Sequence, residues 1–145
     1  MGDLNGFRRG SDWGLEDFMM NQDLKYSDLT GKIIGSAMKV HRELGPGFPE
    51  IVYKKSLIIE IQKLDLPVAA EQEKEIYYQG ISVGKRRLDL IIDNKILIEL
   101  KAVTEIDKAC YNQILNYLKV FKIEIGLILN FGAASLQFKR FINSN

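Results

Sequence analysis

Hydrophobic and charged positions alternate most clearly between Arg86 and Ala102, in the run RRLDLIIDNKILIELKA. Two apolar, β-branched segments, LDLII and ILIEL, flank Asp93-Asn94-Lys95, residues suited to a tight reversal, so the run predicts a β-hairpin. With a three-residue loop, Ile92 faces Ile96, Ile91 faces Leu97 and Asp89 falls opposite Glu99, because antiparallel partners share a face. Lys101, two positions on, joins that face. Leu88, Leu90, Ile92, Ile96, Ile98 and Leu100 then form an apolar opposite face that belongs to the core. A two-residue turn would shift the register by one and separate Asp89 from Glu99.

Around this hairpin the pattern changes period. From Ser27 to Leu44, Leu29, Ile33, Ile34, Ala37, Val40 and Leu44 recur at three and four, predicting an amphipathic helix with Ser27 or Thr30 as N-cap and Gly45-Pro46-Gly47 as its stop. A second helix opens at Phe48-Pro49-Glu50 and runs to about Leu64, with Ile51, Tyr53, Leu57, Ile58, Ile61 and Leu64 on its buried side. Pro67 to Tyr78 reads as a strand with an exposed polar edge, Gln79-Gly80 as a turn, and Ile81 to Lys85 as the approach to the central hairpin. Glu105 to Phe121 is again helical, acids first and lysine late, as the helix dipole favours. Glu124 to Phe131 is a strand covered on both sides and Leu136 to Ile142 a closing strand. The order predicts an α/β arrangement in which a helical crossover joins the hairpin to a parallel neighbour.

Length and composition narrow the possibilities. The 145 residues suit one domain with a core of its own. Twenty Lys and Arg against nineteen Asp and Glu leave a net charge of +1, so nucleic-acid binding would have to be local, without a global basic field. Cys110 and His41 stand alone in their kinds, which excludes an intrachain disulfide and a Cys/His zinc cluster. A cytoplasmic location and no membrane contact are expected from the lack of a long apolar run. Residues 1–26, which hold four of the twelve glycines, read as a loose extension, with 27–145 as the domain. Met19 or Met20 marks a start within it, or Trp13, Leu15 and Phe18 form a small packing arm.

The charged face of the hairpin is the first candidate for chemistry. Unpaired buried charge costs several kcal/mol or more. A divalent cation held by Asp89 and Glu99 would relieve it, hard oxygen ligands being what Mg²⁺ prefers. The alternative is a solvated outer face on which Lys101 pairs with one of the acids. Lys85-Arg86-Arg87, the densest basic cluster, is either a solvated strand end or a phosphate-contacting patch. Gln113 sits within an apolar stripe and needs a partner, at the hairpin or at a rim. Glu50 alone is a first-turn carboxylate complementing a helix dipole. His41 suits a helix C-terminus, and Cys110 a small core position without an activating base. A thiol hydrolase built on these two is the least favoured chemistry.

Asp89, a nine-residue gap, then Glu99-Leu100-Lys101 resembles the D…ExK signature of the PD-(D/E)xK nuclease superfamily. Gly47-Phe48-Pro49-Glu50-Ile51-Val52-Tyr53 is similar to the motif that names the GxxExxY family within it, and the similarity covers roughly residues 27 to 143. Leu88 stands where the superfamily's name has proline, and Cys110 where related sequences often have histidine.

The resemblance implies an α/β fold with a restriction-endonuclease-like core, a central mixed β-sheet flanked by helices. It also implies metal-dependent hydrolysis of nucleic-acid phosphodiesters, DNA before RNA, with Mg²⁺ as cofactor and Mn²⁺ as substitute. Asp89, Glu99 and the Leu100 carbonyl would bind the metal, with Glu50 reaching it directly or through water. Lys101 would orient or deprotonate the attacking water, and Gln113 would stand at the rim. Lys85, Arg86 and Arg87 are the candidate substrate contacts, and a homodimer or a partner protein is the expected assembly. The competing expectation is a noncatalytic nucleic-acid- or protein-binding module that retains the fold.

Overall fold

The computed structural model describes Arg8–Arg9 and residues 25–143. Helix α1 (Ser27–Leu44) has the bounds its apolar spacing predicts and buries Ile33, Ile34, Ala37 and Val40. Its N-cap is Tyr26, in the left-handed region at φ 57°, and neither Ser27 nor Thr30. Thr30 lies one turn inside the helix and is buried there, so its hydroxyl donates back to the Tyr26 and Ser27 carbonyls, each at 3.1 Å. Gly45, at φ 70°, ends the helix as expected.

Helix α2 (Glu50–Gln62) starts after Pro49, which is its N-cap and not a first-turn residue. Tyr53, Lys54, Leu57 and Ile61 are buried, whereas Ile51 and Leu64, expected inside, are 47% and 43% exposed. Apolar and polar residues are both spread around this helix, so its period does not select a face. Packing on the sheet and on α1 selects it.

The expected strand from Pro67 to Tyr78 breaks in two at Glu71, where φ is 54°. Strand β2 (Val68–Ala70) joins the main sheet, while β3 (Glu73–Tyr78) pairs with β4 (Ile81–Arg87) in a separate two-stranded hairpin. Gln79 and Gly80 make its turn, both at positive φ. Past β4 the chain crosses into the main sheet. Leu88 donates its N–H to the Gln72 carbonyl at 3.0 Å and packs on the opposite side from Leu90, correcting the expected single apolar face. The pleat is interrupted between these two residues.

Strands β5 (Leu90–Ile92) and β6 (Ile96–Lys101) pair as the three-residue loop predicts, with Leu90 opposite Ile98, Ile91 opposite Leu97 and Ile92 opposite Ile96. Asp93 and Asn94 turn the chain at φ 53° and 55°. Helix α3 (Ala109–Phe121) begins four residues later than its pattern suggested. Asp107 accepts a hydrogen bond from the Ala109 N–H at 3.0 Å, a local bond that competes with helix formation. Strand β7 (Ile125–Asn130) lies parallel to β6, and β8 (Gln137–Ile142) returns antiparallel beside it.

The main sheet runs β8-β7-β6-β5-β2, a mixed sheet of restriction-endonuclease-like form, with the two-residue β1 (Arg8–Arg9) added to β8. Trp13, Leu15, Phe18, Met19 and Met20 lie outside the described residues. Helices α1 and α2 cover one face, over Leu90, Ile92, Ile96, Ile98, Leu127 and Leu129. Helix α3 covers the other, over Leu97 and Ile128. It packs closely there because a Cβ on Gly126 would stand 3.0 Å from the Ile114 side chain. No described helix is long and apolar enough to cross a membrane.

Candidate active site at the end of strand β6

Continuing the β5–β6 register by one pair sets Asp89 opposite Glu99, at the point where the chain enters β5 from the β3–β4 hairpin. Asp89 takes over from the missing ladder. Its Oδ2 accepts the Leu100 N–H at 2.9 Å, a bond a neighbouring strand would otherwise supply. Its Oδ1 is 3.7 Å from Lys54 Nζ. The carboxylate is thus held in the plane of the sheet from both sides.

Glu99 is 6% exposed, and its Oε1 has no hydrogen-bond partner. Burial, then the nearby negative charge of Asp89, push its carboxyl up to about 8, against the opposing effect of Lys101. Glu50, the first residue of α2, is exposed, and its carboxyl is also raised, by partial desolvation first and Asp89 second. These mutual effects bring Glu50, Asp89, Glu99 and Lys101 into one electrostatic neighbourhood.

Lys101 is not ion-paired with either carboxylate among the described residues. Its Nζ donates instead to Gln113 Oε1 at 3.5 Å, and Gln113 Nε2 donates to the Tyr117 hydroxyl at 3.0 Å. Gln113 therefore stands on the exposed rim of α3, close to the site. Tyr117 is 8% exposed, and its hydroxyl is raised by burial and then by Glu99.

The motif around Glu50 has a structural logic. Tyr53 is fully buried and stacks on Phe131 with ring centroids 4.8 Å apart. Its hydroxyl donates to the Gly45 carbonyl and accepts the Phe48 N–H, so it ties the α1–α2 turn to the helix that carries Glu50. Across the sheet edge, Asn130 bonds both the N–H and the carbonyl of Val103, bracing the chain just after Lys101. Gly132 allows that approach, since a Cβ there would sit 2.3 Å from the Val103 nitrogen.

The basic cluster is distributed over partners. Lys85 Nζ lies 3.7 Å from Glu73, Arg86 Nε donates to Asn116 on α3 at 3.0 Å, and Arg87 is 2.6 Å from Glu71. His41 Nε2 donates to the Ala133 carbonyl, 2.8 Å away, from the α1 side of the sheet. Cys110 packs against the α3 side, so the sheet separates the two and no thiol–imidazole pair forms.

Sequence reasoning missed Lys54, Glu71 and Tyr117. Lys54 is 9% exposed and bridges Asp89 to Glu71, which in turn holds Arg87. Its one visible signal was position, four residues after Glu50 and hence on the same helix face. Glu71 gave none, because its role depends on the left-handed break that turns it toward Lys54.

Among the described residues no three Asp, Glu, His or Cys side chains converge into a cage for an ion, so Glu50 does not complete one with Asp89 and Glu99. The unpartnered Glu99 Oε1 and the facing Asp89 nevertheless fit a hard divalent cation that takes one or two carboxylates and keeps other oxygen ligands.

No curated protein matches the sequence. A solved structure titled "Crystal structure of SSO0001" aligns over 89% of this chain and 57% of its own, at 23% identity and a TM-score of 0.43. The sequence itself matches the PD-(D/E)XK nuclease superfamily over residues 27–141, the span that holds α1, α2 and α3, the β5–β6 acids and strands β2 through β7. Its members generally use divalent metals and act on nucleic acid. The chain belongs to the PD-(D/E)XK nuclease superfamily.

Proposed function

We propose that this protein is a cytoplasmic Mg²⁺-dependent nuclease of the GxxExxY type, hydrolysing phosphodiester bonds of DNA in preference to RNA. The observation that carries this reading is the placing of Asp89 beside a buried Glu99 whose Oε1 has no hydrogen-bond partner, with Lys101 two residues on along β6. Asp89 and Glu99 would hold the cation. The Leu100 carbonyl leaves the strand on the same edge as its N–H, which Asp89 engages, and so is available as a further oxygen ligand. When bound, the ion supplies charge neutralisation and polarisation of phosphate and water.

The remaining roles belong to the chain's own groups. Lys101 Nζ, steadied by Gln113, stabilises charge on the phosphate when protonated and can accept a proton from the attacking water when neutral. Glu50 approaches from the α2 end and orients water at the same centre. Lys54 keeps Asp89 aimed along the sheet edge.

The test is cleavage of single-stranded, duplex and branched DNA and of RNA with Mg²⁺ or Mn²⁺, comparing wild type with Lys101→Ala and Asp89→Asn. Cleavage that requires metal and is lost in both variants is expected. Equal cleavage by all three proteins would sink the assignment. A second reading, a noncatalytic binding module, is favoured by one observation: Glu50 does not close a carboxylate cage with Asp89 and Glu99 among the described residues. Metal-insensitive nucleic-acid binding without cleavage would select it.

A further inference from the structure

The β3–β4 hairpin carries four large apolar side chains in water: Tyr77, Tyr78, Ile81 and Val83, each more than 60% exposed. A free two-stranded hairpin is marginal by itself. This one is pinned to the catalytic centre at its base, where the Glu71 N–H donates to the Asp89 carbonyl at 3.0 Å and Arg87, Glu71, Lys54 and Asp89 form a chain of contacts. Whatever binds the hairpin is therefore held at a set position relative to Asp89.

Its two faces differ. The register pairs Lys74 with Arg86, Ile76 with Gly84 and, past a shift between Ile76 and Tyr77 that skips Val83, Tyr78 with Ile81, which puts these six residues on one face. That face has two cations and no acid. Tyr77 belongs to the opposite face, with Glu73, Glu75, Lys85 and Arg87. There the charges cancel and engage one another, Glu73 with Lys85 and Glu75 with the Tyr77 hydroxyl at 2.6 Å.

The cationic face also leads to the site. Ile76 is partly covered, β3 packs beside α3, and Arg86 bonds Asn116, one turn along from Gln113 and its partner Lys101. From Tyr78 to Lys74 the strand spans roughly 13 Å. Between them Gly84 leaves the floor bare, with no atom within 4 Å of where a Cβ would be.

We infer that this face binds an unpaired nucleic-acid strand on its way to the active site, with a base stacked on Tyr78 and phosphates at Lys74 and Arg86. An exposed aromatic ring on the same face as two cations suits single strands, whose bases offer free π-faces, while bases within a duplex are already stacked. The inference rests on the nucleic-acid substrate of the proposed function. It commits to one hairpin face, and so to Arg86 rather than Lys85 or Arg87 of the basic cluster.

The experiment is fluorescence anisotropy of labelled single-stranded DNA and RNA, and of a blunt duplex of the same sequence. The full chain is used in EDTA so that no cleavage occurs, with fold checked by circular dichroism and oligomeric state by sedimentation. Tyr78→Ala is expected to weaken single-strand binding roughly 5- to 100-fold, the effect of losing one stacked base. Tyr78→Phe, which keeps the ring, and Tyr77→Ala should bind as wild type does, and duplex affinity should change less than about twofold. Equal losses for Tyr77→Ala and Tyr78→Ala, no wild-type binding, or a Tyr78→Ala effect on oligomeric state alone would each overturn the inference. Tyr78-dependent binding without cleavage under any metal would leave it standing and remove the nuclease reading. Lys101-dependent cleavage indifferent to Tyr78 would do the reverse.

Discussion

In the β3–β4 hairpin, Glu73 faces Arg87 and Glu75 faces Lys85 across two strands that water reaches throughout. At the end of β6, Glu99 lies beside Asp89, which enters β5 one residue before the strand begins, between α3 and α2. The first arrangement sets opposite charges together in high dielectric, where each pair contributes about 0–1 kcal/mol. The second sets like charges together under burial, pushing Glu99 up to about 8. The same residue types thus make a solvated ladder in one hairpin and a buried carboxyl of raised pKa beside the other, and exposure decides which.

Function should separate the two regions most strongly. Asp89→Asn or Lys101→Ala should lower the metal-dependent cleavage rate by roughly 10²- to 10⁴-fold, measured as single-turnover cleavage, with folding intact. Lys85→Ala should leave that rate within about threefold. A comparable loss in Lys85→Ala would erase the distinction.

Stability against pH gives the next largest effect. The folded Glu99 carboxyl is raised to about 8 from an ordinary 4.5, so the native state binds this proton more tightly than the unfolded chain does. Its stabilising contribution is complete below about pH 4.5 and is lost as pH rises through about 8. In metal-free buffer Glu99→Gln should therefore flatten this decline and raise stability at pH 7 by up to ~3 kcal/mol, read by urea denaturation from pH 4.5 to 8. Equal pH slopes in the two proteins would show that Glu99 does not carry the strain.

Lys54→Met comes below this. Removing the mostly buried ammonium between Asp89 and Glu71 should cost about 1–3 kcal/mol, whereas Lys85→Met, in the exposed ladder, should cost under about 0.5 kcal/mol. Tyr53→Phe should cost roughly 1–2 kcal/mol, from leaving the Gly45 carbonyl and Phe48 N–H without their shared hydroxyl. Thermal melts rank all three, and a Lys85→Met loss matching that of Lys54→Met would contradict the assigned surroundings.

Much of the fold was legible in particular stretches. Alternation in LDLII and ILIEL made the hairpin legible, while its register stayed conditional on a three-residue loop, which the positive φ of Asp93 and Asn94 and the pairing of Ile92 with Ile96 supply. The bounds of α1 followed from a one-sided stripe that Gly45 closes. Where the pattern was symmetric it failed. The spread of apolar residues around α2 hid that Ile51 faces water, and nothing in PVAAEQEKEIYY told that Glu71 would break the strand.

Local patterning, then, determined which side chains share a strand face, since backbone periodicity is a property of neighbours along the chain. It put Glu99 and Lys101 on one face of a strand, and Asp89 with them on the condition of a three-residue loop. It could not say that Lys54 would cross to Asp89, that Gln113 would reach Lys101, or that one carboxylate would be sealed and another left in water. Those are consequences of α2 and α3 closing on opposite faces of one sheet. Burial, which sets the strength of every charge in the site, exists only once they have done so.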